Sequence, residues 1–206
     1  MDKSRLVFNG IAPIYGLFYK SQQRRFRQIL DSMHATLDVR QYSSICDVGC
    51  GTGALCSVLR EEGLTVTGVD PAANMLRIAR QKTGNEDITW VKADAERGLP
   101  FADNQFDLCI ASYVAHGMQE TPRKQLYAEM SRIAKSYVII HDYNDSRSWG
   151  TSLIEWLEGG DYFSFIKRSS KEMEACVCEM RRCFKSVEVV QVGPRANWYI
   201  CTPNKE

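Results

Sequence analysis

The chain has 206 residues, and its 26 Lys and Arg residues nearly balance its 25 Asp and Glu residues, for a formal net charge of +1. This balance gives no reason to expect a nucleic-acid partner, and no apolar run reaches the length of a membrane span. We expect a cytoplasmic protein with reduced thiols, because no signal-peptide core precedes its eight cysteines. No metal site is predicted, since Cys176 and Cys178 lie on different faces of a helix.

The first predicted element is a cap formed by residues 1–25, which are rich in aromatic side chains. Either it is an amphipathic segment that closes one end of the core, or it covers a ligand. Apolar residues at helical spacing from Phe26 to Leu37 then predict a helix that packs on a sheet. This part of the chain also contains a basic cluster. We interpret the cluster first as a solvated surface and second as a surface that binds an anionic partner; its residues are Lys20, Arg24, Arg25 and Arg27.

A buried strand at 44–48 then runs into three glycines at every second position. Glycines allow the backbone to turn sharply, and they let a ligand contact main-chain N–H groups that a Cβ would shield. The apolar spacing of residues 54–60 predicts a helix directly afterwards, so the loop lies at the partially positive helix N-terminus. The pattern predicts a cofactor site formed by Asp47, Gly49, Cys50, Gly51 and Gly53.

Two cofactors fit this loop. Gly49-x-Gly51-x-x-Ala54 satisfies the dinucleotide pattern, and Asp70 follows at the distance expected for a ribose-binding carboxylate. Asp47 favours the other cofactor, because a carboxylate there would repel the pyrophosphate of a dinucleotide. S-adenosylmethionine instead carries an ammonium and a sulfonium and no phosphate. An NAD(P)-dependent oxidoreductase stays the alternative.

Strands alternate with helices along the rest of the chain, which is typical of a parallel sheet with crossover helices. One helix is predicted over 121–133 with Thr121 as its N-cap, and another up to Cys183 from a capping box at 169–172. The predicted strands are 44–48, 64–70, 88–92, 106–111, 137–142, 186–192 and 197–202.

Residues 143–185 form a segment too long for an ordinary connection, and it is rich in aromatic side chains. It follows a strand whose carboxyl end faces the ligand crevice of such a sheet. We therefore expect a lid that forms much of a binding pocket. Its aromatic residues either hold a flat or apolar ligand or pack the lid onto the body.

Four motifs in chain order resemble those of the class I S-adenosylmethionine-dependent methyltransferases, particularly the type 11 branch that includes the ubiquinone and menaquinone enzymes. The first is the glycine loop at 47–53, and the second is Gly68-Val69-Asp70-Pro71. Residues 91–96 resemble the third motif and residues 106–112 the fourth. The resemblance covers roughly residues 40 to 142.

The resemblance implies a doubly wound, Rossmann-like α/β fold for residues 1–206, with a seven-stranded, mostly parallel sheet and an antiparallel last strand. It also implies transfer of a methyl group from S-adenosyl-L-methionine to a small-molecule acceptor by in-line displacement, with S-adenosyl-L-homocysteine as the product. A subunit that binds the cofactor without turnover is a further interpretation.

The resemblance assigns roles to individual residues. Asp70 binds the ribose hydroxyls, Asp94 pairs with the adenine amine, and Tyr15 folds over the cofactor. The full cofactor-binding set that it implies is Asp47, Gly49, Cys50, Gly51, Gly53, Asp70, Pro71, Asp94, Ala95, Glu96, Ser112 and Tyr113.

Two histidines are candidate general bases for an acceptor that arrives protonated. His116 follows the fourth strand, where the cofactor and acceptor halves meet in the family, and His141 lies at the end of the fifth strand beside Asp142. A neutral imidazole suits proton removal near pH 7, although a histidine beside a cleft also serves as a simple hydrogen-bonding group. The candidate catalytic residues are His116, Tyr15 and His141.

Overall fold

The computed structural model describes residues 16–84, 87–144, 173 and 175–205. Seven strands form one sheet: β1 (Ser44–Val48), β2 (Thr65–Val69), β3 (Ile88–Val91), β4 (Phe106–Ser112), β5 (Ala134–Tyr143), β6 (Ser186–Gly193) and β7 (Ala196–Thr202). Their order is β3-β2-β1-β4-β5-β7-β6. Strands β1 to β5 pair in parallel, and β7 lies antiparallel to both of its neighbours. The predicted sheet and its antiparallel last strand are confirmed.

Four of the helices in the described part of the chain connect these strands or precede them: α1 (Tyr19–Met33), α2 (Ala54–Glu61), α3 (Ala73–Thr83) and α4 (Glu120–Ile133). Helix α1 buries Ile29, Leu30 and Met33, which confirms the predicted apolar stripe, although Leu37 lies beyond the end of the helix. Residues 175–183 are also helical, in agreement with a helix ending at Cys183. The predicted capping box at 169–172 and most of the predicted lid lie outside the described residues.

The predicted start of α4 was wrong. The first intrahelical bond runs from the N–H of Arg123 to the carbonyl of Gln119, so Gln119 is the N-cap and Thr121 already lies in the first turn. Pro122 is tolerated there because the first N–H groups of a helix have no intrahelical partner. Strand β5 also begins at Ala134 rather than at 137, because α4 leads into it directly.

Each strand of the sheet supplies side chains to both faces, so the core has two layers. In β1, Cys46 and Val48 face the layer that contains Leu126 and Met130 of α4. Ile45 faces the opposite layer, which contains residues of α1 and α2. Burial of each such side chain contributes about 1.5 to 3 kcal/mol. Among the described helices, none is long and apolar enough to cross a membrane.

The strand order determines where the functional crevice lies. The chain moves from β1 through β2 to β3 in one direction and from β4 to β5 in the other, so the order reverses between β1 and β4. Ligands of open α/β sheets bind at the carboxyl ends of the strands at such a reversal. The loops that follow β1, β2 and β4 therefore converge on one site with the carboxyl end of β5.

Candidate active site

The glycine loop after β1 is folded against the end of β2. The N–H groups of Gly49 and Cys50 donate to the carbonyl of Val69 at 2.8 and 3.0 Å, which holds the first half of the loop in place. A Cβ on Gly49 would lie 2.5 Å from Val114, so this position has no room for a side chain.

Gly51 differs from its neighbours in the loop. Its φ angle is +53°, and apart from Gly51 and its two chain neighbours, no described residue has a heavy atom within 4 Å of the place where a Cβ would stand. The loop thus exposes its backbone to an open space at this residue. A ligand can approach the main chain there, and a side chain would occupy the space that it needs.

Asp70, directly after β2, holds the loop from the other side. One carboxylate oxygen accepts from the N–H of Gly51 at 2.9 Å, and the other accepts from the N–H of Ala72 at 2.7 Å. Burial raises the pKa of Asp70 to about 6, and the two backbone hydrogen bonds oppose that rise. Pro71 stands between Asp70 and Ala72 in the same turn.

Asp47 is a buried carboxylate beneath the loop, with 1% of its surface exposed. One oxygen accepts a hydrogen bond from the thiol of Cys56 at 3.2 Å, and the other has no partner among the described residues. The pKa of Asp47 is raised to about 7, chiefly by burial and to a smaller extent by the nearby charge of Asp70, while the hydrogen bond from Cys56 opposes the rise. A buried oxygen without a donor is costly, so this position suits a ligand that carries positive charge or hydrogen-bond donors.

Asp94 follows β3 and caps a short 3₁₀ turn at Ala95–Arg97, since its carboxylate accepts from the N–H of Glu96 at 3.1 Å. Ala95 is buried in that turn. Because β1, β2 and β3 are neighbouring parallel strands, Asp47, Asp70 and Asp94 follow one another along the same edge of the sheet.

The ends of β4 and β5 form the second half of the site. The N–H of Tyr113 donates to the carbonyl of His141 at 2.8 Å, and the hydroxyl of Ser112 lies 3.5 Å from Nδ1 of His141. Tyr113 has a φ angle of +56°, in the left-handed region that bulky residues rarely adopt. Such strain persists only where the surroundings impose it, and it is common at functional sites.

His116 is bound to Asp142. Its Nδ1 lies 2.8 Å from one carboxylate oxygen, and its backbone N–H donates to the other at 3.1 Å. The Asp142 side chain is fully buried, whereas the His116 side chain keeps 15% of its surface exposed. A carboxylate can only accept, so the proton of the neutral ring resides on Nδ1 and the lone pair on Nε2. The ring of Tyr143 packs edge-on against that of His116.

His141, the other candidate base, is completely enclosed. Its exposed fraction is 0%, its ring packs against Phe26 and Tyr113, and burial lowers its pKa to about 4. The ring is therefore neutral at physiological pH. Its Nε2 has no hydrogen-bond partner among the described residues, and the catalytic role predicted for His141 stays a prediction.

Comparison with known proteins agrees with this geometry. Residues 46–140 match the family described as Methyltransferase domain, of type 11. A demethylmenaquinone methyltransferase of Renibacterium salmoninarum is 32% identical over 139 residues, which are 65% of this chain and 55% of that protein. A 2-phytyl-1,4-naphtoquinone methyltransferase of a Nostoc species is 32% identical over 142 residues, 65% of this chain and 61% of that protein. The chain carries a type 11 methyltransferase domain.

Solved structures show the same fold over nearly the whole chain. A protein of Pyrococcus horikoshii aligns with a TM-score of 0.70 at 19% identity, covering 99% of this chain and 100% of that one. DhpI in complex with SAH aligns with a TM-score of 0.67 at 16% identity, covering 98% and 96%. The chain spans only about half to three fifths of the length of the curated methyltransferases named above.

S-adenosylmethionine is the cofactor of this methyltransferase domain, and the residues present fit it. The unpartnered oxygen of Asp47 suits the cationic methionine half, and the open space at Gly51 suits close backbone contact. An anionic pyrophosphate would instead meet the buried carboxylate of Asp47. These observations favour S-adenosylmethionine over a dinucleotide.

The sequence does not reveal several residues that contribute to the site. Trp90 packs over the glycine loop so closely that a Cβ on Gly53 would lie 2.5 Å from its ring. The sequence shows Asp142 only as a neighbour of His141 and does not predict its bond to His116, although His116 follows β4 and Asp142 lies near the end of the adjacent parallel strand β5. No pattern signalled the contact of Arg25 with Tyr113. Tyr15 lies outside the described residues and stays a prediction.

Proposed function

We propose that this protein transfers the methyl group of S-adenosylmethionine to a small-molecule acceptor that loses a proton in the reaction. The observation that carries the proposal is the bond between His116 and the buried Asp142, directly across the sheet reversal from the glycine loop. A site that only bound the cofactor would have no need of a polarised imidazole beside it.

The residues at the ends of β1 to β3 would hold the cofactor. Asp47 would face its positive charges, Asp70 its ribose hydroxyls and Asp94 its adenine amine. The cofactor supplies an electrophilic methyl group on a sulfonium. The protein therefore contributes alignment, exclusion of water and, where the acceptor is protonated, a base.

His116 would be that base. Asp142 holds the proton on Nδ1, so Nε2 is the atom that takes the proton of the acceptor as the new bond forms. The buried carboxylate then stabilises the imidazolium, because opposite charges in contact attract strongly away from water. His141 takes no part in this step and fixes the ring of Tyr113 through packing.

The walls of this half of the site indicate a ring-bearing acceptor. Tyr113 and Tyr143 lie with their ring centres 5.1 Å apart beside His116, and aromatic side chains of this kind line sites for flat ligands. Relatives named for methylation of naphthoquinone-type compounds support the same class. A quinol-type or other phenolic acceptor also carries the acidic proton that His116 would remove.

An assay with methyl-labelled S-adenosylmethionine tests this proposal. The acceptor panel contains reduced naphthoquinones, simple phenols and aliphatic carboxylic acids, and the same panel is run with His116→Gln. We expect methylation of a phenolic or quinol acceptor that falls sharply in the variant. Binding of S-adenosylhomocysteine with no transfer to any acceptor would favour the interpretation as a non-catalytic subunit.

A further inference from the structure

Arg25 reaches from α1 to the acceptor half of the site. Its guanidinium carbon lies 5.9 Å from the ring centre of Tyr113, in a cation–π contact. The next residue, Phe26, packs its ring on His141 at 5.8 Å, which fixes this part of α1 over the ends of β4 and β5. The contact with Tyr113 and the packing of Phe26 therefore position the guanidinium of Arg25 over the site.

Arg25 differs from Arg27 and Arg40, whose charges are neutralised by carboxylates. Arg27, two residues later, forms a bidentate pair with Glu61, and Arg40 pairs with Asp31 and Glu62. Among the described residues, no carboxylate lies within ion-pair distance of Arg25, and its contact there is the Tyr113 ring.

The contacts of Tyr113 continue from Arg25 to the proposed base. The Tyr113 ring lies 5.1 Å from that of Tyr143, which lies 4.8 Å from that of His116. The strained backbone of Tyr113, with φ at +56°, holds its ring in this row. One row therefore has a guanidinium at one end, two phenol rings in the middle and an imidazole at the other end.

We propose that Arg25 is a specificity-determining residue that binds an anionic group of the acceptor, a carboxylate on an aromatic ring that lies against Tyr113 and Tyr143. The inference rests on the proposed function for the identity of the site. A guanidinium presents a planar fork of donors that matches a carboxylate, and it does so while stacked on an aromatic ring.

The electrostatics of the site support an anion at this place. The cofactor brings an ammonium and a sulfonium into the same crevice, and Arg25 adds a third positive charge. Asp47 faces the positive charges of the cofactor in the proposed arrangement, so Arg25 is the cation that an anionic acceptor neutralises and a neutral acceptor does not. Arg25 thereby discriminates between acceptors by charge.

The test compares two ligands of equal shape and different charge, 2-naphthoate and 2-naphthamide. Each is titrated by calorimetry into the protein at neutral pH, with and without saturating S-adenosylhomocysteine. We expect naphthoate to bind more tightly than naphthamide. Arg25→Gln should weaken the binding of naphthoate by about fivefold, which is the usual contribution of an exposed ion pair, and should leave the binding of naphthamide unchanged. Arg25→Lys should retain part of the preference.

Arg24→Gln is the matched control, because Arg24 is also exposed and is adjacent on the same helix. It should leave the preference for naphthoate intact. The inference is overturned if naphthoate shows no preference over naphthamide, if neither binds, or if the preference survives Arg25→Gln. Failure of S-adenosylhomocysteine to bind would count against the proposed function instead, and the titrations without it would still decide the role of Arg25.

Discussion

The two halves of the site are built in different ways. The half at the ends of β1 to β3 consists of backbone groups and carboxylates held by short hydrogen bonds, as where Asp70 accepts from the N–H groups of Gly51 and Ala72. The half at the ends of β4 and β5 consists of packed rings around one polar pair, His116 and Asp142.

This difference corresponds to the two tasks that we propose for the halves. Backbone groups cannot be changed by substituting side chains, so a site made from them suits a ligand that is always the same. Rings and a single cation can be exchanged residue by residue, which suits an acceptor that differs between relatives. Substitutions in the first half should therefore affect cofactor binding, and those in the second half should affect turnover or acceptor choice.

The largest expected effect is that of Gly51→Val. The side chain would fill the open space beside the loop, so binding of S-adenosylhomocysteine should be lost in calorimetric titration. Strain from the positive φ should lower the free energy of unfolding by only about 1 to 2 kcal/mol, and unfolding should stay cooperative.

Gly63→Val is the matched control for that strain. Gly63 also has a positive φ and open space around it, but it precedes β2 at the opposite end of the sheet. It should show a similar loss of stability with unchanged cofactor binding. Equal affinities in the two variants would mean that the glycine loop does not contact the cofactor.

Asp70→Ala should weaken cofactor binding by about 2 to 4 kcal/mol, because it removes charge-assisted hydrogen bonds to the ribose and releases the N–H of Gly51. The dissociation constant for S-adenosylhomocysteine measures the effect, and cooperative thermal unfolding shows that the fold persists. Asp87→Ala is the control, since Asp87 pairs with Arg60 on the surface. An unchanged dissociation constant in Asp70→Ala would count against the ribose assignment.

His116→Gln should lower the turnover number by about 100-fold or more, the usual contribution of a general base, while the dissociation constant for S-adenosylhomocysteine stays within twofold or so. Steady-state kinetics with an acceptor that the wild-type protein methylates measure the turnover number, and calorimetry measures the dissociation constant. His34→Gln, at an exposed histidine that pairs with Asp38, should change neither. A loss of cofactor affinity equal to the loss of turnover would remove the distinction between the two halves.

The smallest expected effect is the pH dependence of stability and of cofactor affinity that Asp47 causes. Burial raises the pKa of Asp47 to about 7, well above its value in an unfolded chain, so the folded state holds a proton that the unfolded state has lost. This group therefore lowers the free energy of unfolding as the pH rises from about 4 to about 7. A cationic cofactor favours the ionised carboxylate, so its affinity should increase as the pH rises through about 7.

Proton release measures this coupling directly. Titration of S-adenosylmethionine near pH 6.5, in two buffers of different ionisation enthalpy, should show release of up to about one proton on binding. Asp47→Asn should reduce that release. Proton uptake on binding would contradict the orientation of Asp47 toward positive charge.

The cofactor half could be predicted from the sequence because its determinants are local. The strand before Gly49, the alternating glycines and the acid after β2 lie in short motifs whose geometry follows from the backbone. The strand boundaries also agreed to within a few residues, since period-two apolar patterns and glycines mark them. The predicted N-cap of α4 was wrong because two polar residues two positions apart, Gln119 and Thr121, could each begin the helix.

The acceptor half could be predicted only as a list of candidates. The choice between His116 and His141 depends on burial and on the register that sets Ser112 beside His141, which sequence spacing does not reveal. The contact between Arg25 and Tyr113 joins residues far apart in the chain, and only the packing of α1 on β5 brings them together. Nothing in the described residues tests the roles predicted for Tyr15 or for the lid.

The central claim is that the carboxylates and the open glycine loop select a cationic, phosphate-free cofactor. Parallel calorimetric titrations with S-adenosylhomocysteine and with NAD at neutral pH test it most directly. We predict saturable, stoichiometric binding of S-adenosylhomocysteine and no measurable heat from NAD at the same concentrations. Saturable binding of NAD without binding of S-adenosylhomocysteine would contradict the assignment of the site.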